Sequence, residues 1–243
     1  MVSFTTFLYA AFAVAASAAP GCRPPTTPIL PKTGTSSDLS APAANLVLKK
    51  IAIGHGIQNY TCESSTSSVA DAKGAVAVLY DATSLYPGTR RTGISQRDWD
   101  SLPSKVLWNK PLPLNKLAGT KYGANPKKPF PDPANLRIHD IGTLNFLGHH
   151  FFDSGSTPVF ELSTAGLKAV VGKDGQVNAP SNADKGILGT GAVQWLLLGD
   201  RGASQGLKAV YRVITAGGVA QPCSVTGAGV QSVPYTTYYW FFG

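Results

Sequence analysis

The side chains with the widest chemical range in this 243-residue chain are four histidines, His55, His139, His149 and His150. A catalytic metal needs about three such ligands converging on one point, with a position left open for water or substrate. His149 and His150 are adjacent, and on a strand adjacent side chains face opposite sides, so one ion takes both only where a bulge intervenes. With His139-Asp140 and Asp153 as partners they define the one enzymatic reading open here, a His/Asp metal or acid–base site. No H-x-H, H-E-x-x-H or C-x-x-C spacing supports it, and hydrogen-bonded or exposed histidines near strand ends explain the same residues. Glycosidase chemistry needs two carboxylates across a cleft. Of 13 acidic residues, Asp81, Asp153 and Glu161 adjoin apolar segments, and nothing places two of them on one face. A G-x-S-x-G nucleophile elbow is absent. The residue types therefore lean away from catalysis.

Charge is more informative. The chain carries 21 Lys and Arg against 13 Asp and Glu, a formal net charge of +8. Residues 88–137 hold ten of the cations (Arg90, Arg91, Arg97, Lys105, Lys110, Lys116, Lys121, Lys127, Lys128 and Arg137) and three acids (Asp98, Asp100 and Asp132). This one stretch thus carries +7 of the +8, and the remainder is nearly neutral. A basic segment with interleaved aromatic residues has the composition to engage an acidic polysaccharide or cell-surface polyanion. Arg90, Arg91, Lys127 and Lys128 would supply charge, and Trp99 and Trp108 stacking surfaces. A solvated loop whose charge keeps it soluble accounts for the same composition. The aromatic ending, Tyr235 and Tyr238 to Phe242, reads as core packing of a last strand, with an outward row of Tyr and Trp as a possible sugar platform.

The compartment follows from residues 1–19, MVSFTTFLYAAFAVAASAA. A short apolar run ending in Ala16-Ser17-Ala18 reads as a secretory signal peptide and is too short to span a bilayer. Secretion argues against nucleic acid as a partner and, with no long apolar stretch elsewhere, against a membrane span, and it favours disulfides over free thiols. Cys22, Cys62 and Cys223 allow one intramolecular bridge. Cys62 with Cys223 is favoured because both end β-type segments, and Cys22 with Cys223 stays open. Closing the Cys62–Cys223 loop stabilises by about 4–5 kcal/mol. Asn59-Tyr60-Thr61 is an N-glycosylation sequon, so Asn59 is a candidate glycan site.

These residues must be positioned by strands. Residues 20–44 form a Pro-, Ser- and Thr-rich flexible leader, and 45–243 a single domain. Short apolar segments near 46–48, 51–62, 74–80, 143–152, 158–162, 167–172, 194–198, 207–214 and 233–242 are separated by Gly, Pro, Asp and Ser. Gly54 and Gly56 read as a turn around His55, and Asp174-Gly175 as a two-residue hairpin. Between them, residues 85–137 carry prolines at a density no sheet interior tolerates, and read as a basic, Pro-rich insertion. With no convincing amphipathic helix in view, the fold class is all-β, an antiparallel sandwich or barrel-like sheet.

Several blocks taken together, Gln58-Asn59-Tyr60-Thr61-Cys62, Thr215-Ala216-Gly217-Gly218-Val219-Ala220, and Ser232-Val233-Pro234-Tyr235 with Tyr239-Trp240-Phe241, resemble a family of secreted fungal and bacterial proteins catalogued as a domain of unknown function. The resemblance brings no catalytic residues. Members often carry a malate dehydrogenase label by automatic transfer, which implies a G-x-G-x-x-G turn opening a helix. The nearest stretch, Gly186-Ile187-Leu188-Gly189-Thr190-Gly191, precedes a strand-like segment instead, so no nicotinamide or other cofactor is expected. The resulting expectation is a secreted, non-catalytic surface- or glycan-binding protein of open oligomeric state, with a metal- or carboxylate-dependent hydrolase as the alternative.

Overall fold

The computed structural model describes residues 27–34, 37–67 and 69–243. Residues 1–19, read above as a signal peptide, and Cys22 lie outside them. Eight antiparallel strands close into a barrel in the order β1 (Leu48–Cys62), β10 (Gly229–Phe242), β9 (Ala209–Gly217), β8 (Trp195–Asp200), β7 (Leu167–Val177), β6 (Pro158–Leu162), β5 (Phe146–Phe152) and β2 (Asp71–Asp81). A separate hairpin, β3 (Leu136–Ile138) with β4 (Gly142–Leu144), precedes β5. The chain is thus all-β and barrel-forming. Closure leaves β1 and β10, the longest strands, paired over most of their lengths.

Strand alternation sorts side chains into two cores. Ala52, Ala77, Leu79, Phe160, Val171, Val210, Tyr235, Tyr239 and Phe241 fill the barrel. Along β1 the inward positions Ala52, Gly54 and Gly56 are small, opposite Tyr239, Thr237 and Tyr235 of β10. A Cβ on Gly54 would sit 2.5 Å from the Tyr239 ring, and one on Gly56 would sit 2.0 Å from the Val76 carbonyl oxygen. The expected turn around His55 is therefore unbroken strand, in which Gly54 makes room for the Tyr239 ring and Gly56 for the close approach of β2 at Val76 and Ala77.

The second core lies outside the barrel. Ile51, Ile53, Tyr80, Tyr211, Tyr238 and Trp240 pack under Trp99, Leu102 and Val106 of α1 (Gln96–Asn109). From Val233 to Phe242 every residue of β10 is buried, so both rows of its aromatic ending are core and neither forms a sugar platform.

Helix α1 falls inside the Pro-rich insertion, where no helix was expected. Its start is legible in retrospect: Ser95 caps it, accepting from the Asp98 N–H at 3.1 Å, with Asp98 in the first turn. Pro103 sits in its interior. A proline there removes the N–H that would bond the carbonyl four residues back, that of Trp99. The Tyr238 hydroxyl donates to that carbonyl at 3.0 Å instead. The sheet thus satisfies the group the proline orphans, and this tertiary compensation is invisible to periodicity.

Two further expectations change. Asp174-Gly175 is no hairpin, because β7 runs through it with a register shift between Lys173 and Gly175. The extra residue, Asp174, turns outward to pair with Arg201 at 2.5 Å. The leader, from residue 27 where it is described, is docked: Leu30 and Leu39 pack against the outer core, and the Tyr211 hydroxyl donates to the Ser40 carbonyl at 2.9 Å. Ile214, in a bulge of β9, has φ of 48°. For a β-branched residue that conformation costs about 1–3 kcal/mol. Cys62, at the end of β1, is joined to Cys223, at the start of the four-residue helix α2 (Cys223–Thr226), as expected. No helix among the described residues is long and apolar enough to cross a membrane.

Candidate binding face

The insertion between β2 and β5 wraps the outer barrel surface. Residues 115–125 form a tight loop, closed by the Asn125 N–H donating to the Asn115 carbonyl at 2.7 Å and the Leu117 N–H donating to the Gly123 carbonyl at 2.8 Å. Between this loop, the end of α1 and β10 lies a cavity of about 340 Å³. Leu107, Leu112, Leu114 and Pro234 give it an apolar floor, Tyr122 stands in its wall, and Lys110, Lys116 and Lys121 surround it. Among the described residues no Asp or Glu lines it. Among the described residues, Lys105 is the only one of the insertion's ten cations within 4.0 Å of a carboxylate, that of Asp98 at 2.7 Å. The three lysines around the cavity therefore keep their charge available to a ligand.

His55 closes the cavity from below. Its Nε2 lies 3.2 Å from the Pro111 carbonyl oxygen and its Nδ1 lies 2.9 Å from Thr236 Oγ1. A carbonyl can only accept, so Nε2 carries the proton and the Thr236 hydroxyl donates to Nδ1. Burial, which disfavours the charged imidazolium, pushes its pKa down to about 4. The ring is neutral near pH 7, and the positive field at the cavity comes from the lysines alone.

Two open grooves extend this surface. One, of about 800 Å³, shares Lys121, Tyr122 and Gly123 with the cavity and runs past Asn59, Gln231 and Ser232. The other, of about 530 Å³, shares Asn59, Ala124 and Pro126 with the first and is lined by Phe130, His149, Phe151 and Glu161. Together they trace a path on both sides of the 115–125 loop.

The residues singled out from sequence scatter over this frame. Arg90 and Arg91 are exposed before α1, and Lys127 and Lys128 are exposed after Pro126. None of the four lines the cavity or the two grooves. Trp99 is no ligand platform: it is 2% exposed and stacks on Tyr238 at 4.2 Å, because α1 is pinned to the sheet by its apolar face. Trp108, on the opposite side of the helix, is 57% exposed, and its indole N–H donates to Asp184 at 2.8 Å.

The histidines do not converge. His139 is exposed at the tip of the β3–β4 hairpin beside Asp140. His149 points outward into the groove, stacked on Phe130 at 3.9 Å with Glu161 as its cross-strand neighbour. His150 points into the barrel, where its Nδ1 donates to the Val159 carbonyl at 2.8 Å and its ring lies on Phe160. Burial pushes its pKa down to about 3. Among the described residues no three His, Cys, Asp or Glu side chains are grouped to hold a metal ion. Asn59 faces the grooves from β1, its side-chain oxygen accepting from the Ser232 hydroxyl at 2.8 Å.

Lys110, Lys116 and Lys121 were present in the basic count but had no spacing to mark them as a set. Their convergence depends on the 115–125 loop folding back on α1, and His55 joins them only because β1 runs straight through the glycines.

No curated protein and no solved structure matches the chain. A family model described as "Protein of unknown function (DUF3455)" matches residues 42–243. That span takes in the whole barrel, the inserted helix and the basic loop, and the chain therefore belongs to the DUF3455 family of proteins of unknown function.

Proposed function

We propose that this protein is a secreted, non-catalytic surface-binding protein whose basic insertion holds an acidic polysaccharide or cell-surface polyanion. The observation that carries this reading is the cavity ringed by Lys110, Lys116 and Lys121 with no carboxylate in its lining, opening onto a groove that a polymer can follow. A solvated loop has no reason to gather cations around a concave apolar floor, since like charges brought together repel. An anionic sugar chain offsets that repulsion, and its ring faces match Tyr122 and the leucine floor.

The magnitude expected per site is modest. Exposed ion pairs contribute about 0–1 kcal/mol each, so three lysines supply about 2 kcal/mol, or a factor of about 30. Useful affinity then comes from many such contacts along a repeating polymer. The test is retention of the purified mature protein on polygalacturonate and on heparin, compared with a neutral glucan, as sodium chloride is raised. Retention on the acidic polymers that falls with salt and is lost on replacing Lys110, Lys116 and Lys121 by Gln supports the reading. Equal retention of native and triple-variant protein contradicts it.

A further inference from the structure

A second cavity, of about 360 Å³, lies on another flank of α1, between the docked leader, residues 180–184, the start of β8 and the bulge of β9. Its wall differs in kind from that of the lysine cavity. Asp100 and Asp184 face it together with Lys32, Ser104 and Asn182, and Trp195 and Ile214 form part of its apolar surface. Several of these groups have unused hydrogen-bonding capacity. Trp195 is 4% exposed, and its indole N–H is buried with no acceptor. That N–H is closed to solvent, as are the orphaned Trp240 N–H and Gln58 amide elsewhere, so the indole offers the cavity its apolar surface and not its donor. Among the described residues Lys32 has no carboxylate within 4.0 Å. The Asp100 carboxylate accepts one hydrogen bond, from the Gln96 amide at 2.8 Å, which leaves lone pairs free. Asp184 is held by the Trp108 indole N–H and the Gly186 N–H, so its orientation is fixed before any ligand arrives. At the floor, Ile214 holds its left-handed backbone conformation. Outliers of this kind concentrate at ligand clamps and active sites.

We propose that this cavity is a binding site for an uncharged sugar unit. The chemistry of the wall selects that class. Two carboxylates repel an anion, and Lys32 repels a cation. Hydroxyl groups, each both donor and acceptor, can donate to Asp100 and Asp184 while accepting from Lys32 and the Asn182 amide. The aliphatic face of a sugar ring packs on Pro31, Pro103, Pro180 and the indole. The volume lies within the range of about 300–1,000 Å³ typical of small-ligand pockets. This site stands apart from the lysine cavity and does not depend on the polyanion reading.

The experiment is titration of the full mature protein with neutral cello-, xylo-, chito- and β-1,3-gluco-oligosaccharides, read by tryptophan fluorescence and calorimetry at high salt. Saturable binding of at least one series is expected, unaffected by salt and retained in the Lys110, Lys116 and Lys121 triple variant. Asn182→Ala, an exposed substitution that removes an amide facing the cavity, should weaken it about fivefold. Asp100→Ala, an exposed substitution that leaves the core intact, should weaken it about tenfold. No saturable binding by a folded protein overturns the proposal. So does binding indifferent to both substitutions, and so does equal binding of galacturonate or glucosamine oligomers. Loss of binding in the triple-lysine variant alone would assign the sugar to the other cavity and overturn it as well.

Discussion

Two fully buried neutral histidines make the fold sensitive to mild acid. His55 and His150 have pKa values pushed down from an ordinary 6.5 to about 4 and about 3, in both cases chiefly by burial. Around His150 the nearest cation, Arg212, adds to the effect, and its remaining neighbours, Phe160 and Tyr239, carry no charge. Because the folded-state values are depressed, the unfolded chain binds protons more readily. Stability is therefore full above about pH 6.5 and is lost as pH falls toward the folded values. Between pH 7 and pH 4.5 each histidine contributes a loss of about 2.5 kcal/mol, about 5 kcal/mol together. Asp81, half-buried and held low by Lys50 and Thr83 against the cost of its burial, loses its contribution only at lower pH. A domain stable by about 5–15 kcal/mol approaches unfolding under those conditions. Urea unfolding followed by tryptophan fluorescence at pH 7 and pH 4.5 measures the difference. His150→Asn, which keeps a donor for the Val159 carbonyl, should halve the pH-dependent part, and the double variant with His55→Asn should nearly abolish it. A change below about 1 kcal/mol in the native protein, or the full change persisting in the double variant, would refute the assignment of two buried neutral rings.

Other substitutions probe the architecture. Tyr238→Phe leaves the Trp99 carbonyl opposite Pro103 without its donor and should cost about 1–3 kcal/mol in thermal or urea unfolding; no change would mean that water satisfies that group. Replacing Cys62 and Cys223 by Ala removes a bridge spanning 161 residues. That should cost about 5 kcal/mol, read from the denaturant midpoint with and without reductant. Gly56→Ala drives a methyl into the Val76 carbonyl and should lower stability by about 3 kcal/mol; a neutral result would show that β1 and β2 can separate there.

Much of the fold was legible because barrel strands announce themselves locally. Short apolar runs broken by Gly, Pro and Asp give an all-β chain, and the aromatic ending of β10 reads as core. Features set by distant contacts were not legible. Gly54 and Gly56 looked like turn residues because what they accommodate lies on other strands, the Tyr239 ring of β10 for Gly54 and the β2 backbone at Val76 for Gly56. Asp174-Gly175 looked like a hairpin because a bulge uses the same residues as a turn. Helix α1 was masked by Pro103, whose cost is offset by Tyr238 from the opposite end of the chain. For the candidate site, charge could be placed in the insertion but not on particular residues. Trp99 and Trp108 are equivalent in sequence, and the helix phase sends one into the core and leaves the other in solvent. The three lysines of the cavity are brought together by backbone hydrogen bonds of the 115–125 loop that no side-chain pattern encodes.

The central claim is that Lys110, Lys116 and Lys121 form one anion-binding surface. Its most direct measurement is the affinity of the mature protein for polygalacturonate at physiological salt, native against the Lys110→Gln, Lys116→Gln, Lys121→Gln variant. The account predicts a loss of about 30-fold, with Arg90→Gln and Arg91→Gln changing little because those residues lie outside the cavity. Unchanged affinity in the triple variant, or a larger loss from the two arginines, would contradict it.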